Sequence, residues 1–91
     1  MLKIAQTNLF KKHLKRCIKR GWDISAIGEV INMLQRGETL PDKFRDHALT
    51  GERTGQRDCH IKPDWVLIYR IREEVLILQL LDTGSHSDLS L

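Results

Sequence analysis

Two apolar runs, Trp65–Ile71 and Val75–Leu81, are separated by little more than Glu73-Glu74. Each is the length of a strand and rich in β-branched and aromatic residues. A connection this short permits only an antiparallel hairpin. The runs are nearly continuous rather than alternating, so both faces of these strands are expected to be covered for part of their length. A third strand is predicted over 53–61. Lys62-Pro63-Asp64 joins it to the strand at 65–72, and 75–82 completes a meander.

Upstream, the period changes. Residues 2–6 read as a short strand, with Leu2 and Ile4 alternating against Lys3. Phe10, Leu14, Cys17 and Ile18 then recur as one stripe of an amphipathic helix, which Gly21 closes. A second helix opens near Asp23 or Ser25 and carries Ile24, Ile27, Val30, Ile31 and Leu34 up to Gly37. The joint between them is short, which predicts an antiparallel helical hairpin. Trp22 at that joint reads as a packing residue. Residues 38–51 show no period and read as a loop with one helical turn, anchored by Phe44 and Leu49. The expected fold is α+β, in the order β-α-α-β-β-β. A two-helix hairpin packs on one face of an antiparallel sheet, and residues 1–91 form a single domain.

Charge and cysteine content narrow the functional classes. Residues 1–36 hold eight Lys/Arg against two Asp/Glu, and the remainder holds seven against ten. A basic first half suits a polyanion or an acidic partner. No apolar run approaches the ~20 residues that cross a bilayer. The N-terminus lacks a secretory pattern. Cys17 and Cys59 are the only cysteines, fewer than a secreted domain this small usually carries. Cytoplasmic residence without a membrane association is the resulting expectation.

The chemistry concentrates in Arg57-Asp58-Cys59-His60-Ile61-Lys62-Pro63-Asp64-Trp65. Strand alternation puts Asp58 and His60 on one face, and Arg57, Cys59 and Ile61 on the other, core-facing side. An exposed-face histidine beside a carboxylate suits general acid–base work near neutral pH. His47 follows Asp46 in the loop, and His86 lies in the polar C-terminal stretch. Cleavage of RNA by its own ribose 2′-hydroxyl needs a base, an acid and a cation for the phosphate. Histidines with Arg57, Arg53 and Lys62 supply these without a metal. Trp65 is open to two readings, stacking on a base or packing in the core. His13 and Cys17 share a helix face, but Cys59 and His60 point to opposite faces of a strand and cannot readily share one tetrahedral ion. No metal and no cofactor are expected, and no phosphate loop or serine nucleophile elbow is present.

Three separated blocks carry a resemblance. They are Phe44-Arg45-Asp46-His47-Ala48-Leu49-Thr50-Gly51, Arg57 through Tyr69, and Thr83-Gly84-Ser85-His86-Ser87-Asp88-Leu89. In this order they resemble the YafQ-type toxins of the RelE/ParE toxin–antitoxin superfamily. The first half matches only in size, charge and helical pattern. The resemblance implies a RelE-like fold and an mRNA interferase that commonly acts on the translating ribosome and is silenced by a cognate antitoxin. It places the family's catalytic residues at His47, His60, His86 and Asp64, and supporting positions at Asp58 and Trp65. One departure is visible. Where such chains often end in a phenylalanine, this one reads Leu89-Ser90-Leu91. A ParE-like toxin that binds DNA gyrase without catalysis, or an inactive RNA- or antitoxin-binding homologue, is the competing expectation.

Overall fold

The computed structural model describes all 91 residues. Strand β1 (Lys3–Gln6) leads into helix α1 (Asn8–Lys19) and helix α2 (Ile24–Gln35). A single 3-10 turn (Asp42–Phe44) precedes the two-residue strand β2 (His47–Ala48). Strands β3 (Arg57–Lys62), β4 (Trp65–Arg72) and β5 (Ile77–Gly84) follow.

The helix ends follow from local chemistry. Thr7 caps α1, its Oγ1 accepting from the Phe10 N–H at 3.0 Å, as an N-cap side chain should. Gly21 (φ +84°) closes the helix. Its N–H donates to the Ile18 carbonyl and that of Trp22 to the Cys17 carbonyl, the paired bonds of a Schellman motif. Asp23 caps α2, and Gly37 ends it in the same way. Phe10 and Cys17 are buried as the periodicity predicts, but Ile18 is exposed. His13 takes up part of that stripe and lies 2.6 Å from Asp82 of β5.

The sheet runs β1-β5-β4-β3-β2. Its meander is antiparallel, but β1 pairs parallel to β5, with Lys3 opposite Ile77. The sheet is therefore mixed, not wholly antiparallel. β1 is followed at once by a helix and meets a strand more than seventy residues later, so no local turn sets its direction. β2 adds an edge strand where an irregular loop was expected, pairing His47 with Asp58.

Both faces of the central strands are covered. Cys59, Ile61, Leu67, Tyr69, Leu78 and Leu80 face the helices, packing with Phe10, Cys17, Ile27, Val30 and Leu34. Burial on this scale stabilises by about 1.5–3 kcal/mol for each large apolar side chain. Val66 and Ile68 face the opposite way, where Leu89 of the C-terminal stretch covers them with Leu49 and Leu81. This second face carries Asp58 and His60, because Asp58 pairs with Ile68 and His60 with Val66.

Candidate active site

Four segments converge on that second face. β2 supplies His47, β3 supplies Asp58 and His60, the β3–β4 turn supplies Asp64, and the turn after β5 supplies His86. The imidazoles stand in a row with His60 in the middle. His60 and His86 have ring centroids 4.8 Å apart, edge to face. His47 and His60 are 6.5 Å apart.

Each ring is held differently. The His86 Nδ1 lies 2.6 Å from Asp64 Oδ1, and the same oxygen accepts the His86 backbone N–H at 2.9 Å. Nδ1 thus carries the proton given to Asp64, and Nε2 is left for other chemistry. These two bonds hold the Asp64 carboxyl below the usual carboxylate range. The His47 Nδ1 is 2.7 Å from the Arg45 carbonyl and 3.2 Å from Asp58 Oδ1. His60 makes no such bond. Its partial burial disfavours the imidazolium and pushes its pKa down, with the positive charges of His86, Arg45 and His47 adding to the effect and Asp58 opposing it. Asp58 is buried, which pushes its carboxyl up despite the three imidazoles beside it. Its Oδ1 lacks a hydrogen bond of good geometry. Contact with His47 is electrostatic, since the His47 N–H points to the Arg45 carbonyl.

An open cleft of about 730 Å³ adjoins this row and is lined by Lys43, Arg45, His60, Lys62 and His86, among others. Lys62 therefore sits where the sequence suggested. Lys43 and Arg45 line the cleft too, although nothing in the sequence had singled them out. The only signal was their spacing on either side of Phe44. The 3-10 turn buries that ring and leaves its two cationic neighbours outside, with Arg45 in the left-handed region at φ 50°.

Three expected participants stand elsewhere. Trp65 is 3% exposed and packs with its ring centroid 5.1 Å from that of Trp22. Its Nε1–H donates to Thr83 Oγ1 at 2.9 Å. Of its two readings, core packing is the one realised, because Trp65 pairs with Lys62 across a register shift and points to the helices. Arg57 lies opposite Tyr69 on the helix side. It bonds both Asp46 oxygens at 3.3 Å, and the Tyr69 hydroxyl donates to the same carboxylate. Arg57 is thus turned away from the imidazole row. Arg53 lies in a short turn, where its Nη2 donates to the Leu89 carbonyl at 3.4 Å, outside the cleft.

No three His, Cys, Asp or Glu side chains are arranged to hold a metal ion. His13 is engaged by Asp82, and Cys17 and Cys59 are buried free thiols. The site brings imidazoles and carboxylates together at the edge of a cleft that Lys43, Arg45 and Lys62 also line, groups able to move a proton beside an anion.

The fold and this site define a small α+β protein of the toxin–antitoxin type. Residues 2–91 match the family model for the bacterial toxin of type II toxin–antitoxin systems, YafQ, and the chain belongs to that family. It is 32% identical over 87 residues to the mRNA interferase toxin YafQ of Escherichia coli K12, covering 94% of this chain and 92% of the relative. A metal-bound toxin from Helicobacter pylori superposes with a TM-score of 0.92 at 38% identity, over 98% of this chain and 99% of that one. YafQ in the E. coli DinJ–YafQ complex superposes with a TM-score of 0.88 at 31% identity, over 98% of both chains. No helix here is long and apolar enough to cross a membrane.

Proposed function

We propose that this toxin is an endoribonuclease that cleaves mRNA in the cytoplasm, at the ribosome, by metal-independent acid–base catalysis. The observation that carries this reading is the unequal treatment of two adjacent imidazoles. His60 is held toward its neutral form, and His86 is oriented by Asp64 with Nε2 free. A pair pushed into different roles by their surroundings is what a base and an acid require. In the step envisaged, His60 takes the proton of the ribose 2′-hydroxyl. The 2′-oxygen bonds to phosphorus as the bond from phosphorus to the 5′-oxygen breaks. His86, which enters the step with both ring nitrogens protonated, gives its Nε2 proton to that leaving oxygen and keeps its Nδ1 proton on Asp64. Arg45, Lys43 and Lys62 stabilise the phosphorane charge in the cleft. His47, on the other side of His60, is the alternative base. The products are a 2′,3′-cyclic phosphate and a 5′-hydroxyl.

The name of the E. coli relative, mRNA interferase toxin, supports the same activity. The DinJ–YafQ complex supports a cognate antitoxin as partner. The basic surface of α1, with Lys11, Lys12, Lys15 and Lys19 exposed, suits an acidic segment that folds on binding. Mapping RNA ends after induced expression tests the reading. Cyclic or 3′-phosphate ends with 5′-hydroxyls are expected, insensitive to chelator and lost when His47, His60 and His86 are together changed to Ala. Growth inhibition that survives this triple change points instead to a ParE-like binder of DNA gyrase. An inert wild type points to an inactive homologue.

A further inference from the structure

His86 sits on residues 85–91, which form turns with no helix or strand of their own. A catalytic ring on such a segment needs its backbone pinned. Asp64 holds the ring from one side. On the other side, Asp88 gathers a set of contacts from both ends of the chain. Its Oδ2 accepts the Ser85 backbone N–H at 2.8 Å, while its own N–H donates to Ser85 Oγ at 3.0 Å. Arg20 of the α1 C-terminus donates to both oxygens, at 2.5 and 3.0 Å. Arg16, one turn earlier, places Nη2 3.5 Å from Oδ2.

We propose that Asp88 is a positioning residue for His86, forming with Arg16 and Arg20 an ionic latch that closes the turn carrying the ring and fixes it beside His60. The inference rests on the histidine-based cleavage reading. Isolated surface ion pairs contribute little. This one is two-pronged, joined to reciprocal Asp–Ser bonds across the residue that matters, and its carboxylate is mostly covered. The hydrogen bonds from Arg20 and Ser85 hold the Asp88 carboxyl well below the usual carboxylate range, so the charge is present throughout the working pH range. Gly84 fits the same reading. A Cβ there would lie 2.8 Å from Asp88 Oδ2 and 3.1 Å from Arg16 Nη2, inside the latch. Such a network makes α1, with its basic surface, mechanically continuous with the acid of the reaction.

The test uses the full chain with Asp88→Ala, Asp88→Asn, Arg20→Ala, the Arg20→Ala/Asp88→Ala double variant, and Gly84→Ala. Single-turnover RNA cleavage, RNA affinity and the imidazole nitrogen spectrum of His86 are measured on each. Asp88→Ala is expected to slow cleavage by roughly 10²-fold, the scale of a misplaced catalytic group, with RNA affinity unchanged. The His86 Nδ1 signal is expected to lose the signature of its hydrogen bond to Asp64 while the His60 signal stays in place. The double variant should be no slower than the worse single one, since both remove the same latch. Asp88→Asn keeps the shape and loses the charge, and Gly84→Ala keeps the charge and loses the space. Both should repeat the His86 change, and the near-isosteric Asn keeps the test open if Asp88→Ala fails to fold. An unaltered His86 spectrum in folded variants, or additive losses, overturns the latch. If the wild type itself cleaves no RNA, the cleavage reading fails, and the His86 spectrum still decides the latch.

Discussion

One oxygen of Asp64 accepts both the backbone N–H and the ring N–H of His86, at 2.9 and 2.6 Å. Asp64 itself is a turn residue, with its side chain 70% exposed. Its place in the fold is thus undemanding, while its place in the site is specific.

Asp64→Ala should therefore separate activity from stability. RNA cleavage is expected to fall by about 10–10²-fold as His86 loses its hydrogen bond to Asp64 and its direction. The melting temperature should stay close to that of the parent. Parallel thermal melts and single-turnover assays check this, and a large loss of stability with cleavage retained per folded molecule would count against it.

The pH dependence follows from His60. Its pKa is lowered, chiefly by burial. The base is lost as pH falls through that lowered value, so the acid limb of kcat/KM should lie below the ordinary histidine pKa of about 6.5. The groups facing it are Asp58, His86, Arg45 and His47. Asp58→Asn removes the one negative neighbour and should move the limb further down. An acid limb at or above the ordinary value would sink the assignment of His60 as base.

Asp58 carries an opposite expectation for stability. Burial raises its pKa in the folded chain, and Oδ1 lacks a well-aligned partner. A raised carboxylate contributes stability that is present below its unfolded pKa and lost as pH rises through the folded one. At neutral pH the ionised side chain is therefore a cost. Asp58→Asn should stabilise the fold by about 1 kcal/mol, the scale of an incompletely satisfied buried polar group, while slowing cleavage. The gain should vanish in melts taken at low pH, where Asp58 is protonated.

Trp65→Phe tests the packing role. It removes the Nε1–H bond to Thr83 Oγ1, which in turn donates to the Val66 carbonyl at 2.8 Å. A loss of about 1–2 kcal/mol is expected from denaturant unfolding. Cleavage per folded molecule should be unchanged. A marked drop in cleavage by folded protein would restore the stacking role.

Much of this architecture is legible along the chain. Glu73-Glu74 and Pro63-Asp64 are too short to join strands any other way than antiparallel. Gly21 and Gly37 end the helices where the apolar period stops. Alternation alone places Asp58 and His60 together and Cys59 in the core. Residues whose role depends on a distant partner are a different matter. Arg57 is claimed by Asp46 and Tyr69, and Trp65 by Trp22 and Thr83, none of which is its neighbour in the chain. Lys43 and Arg45 reach the cleft only because Phe44 is buried between them.

The sequence by itself determined the class of fold, the ends of the helices and the residue types of the site, because local spacing, capping and turn chemistry act over a few residues. Tertiary structure alone decided that β1 runs parallel to β5, that His47 joins the sheet opposite Asp58, and that His86 is held between Asp64 and Asp88. Those relationships link segments tens of residues apart. They depend on which edges and faces remain free once the core has closed, and no local period records that.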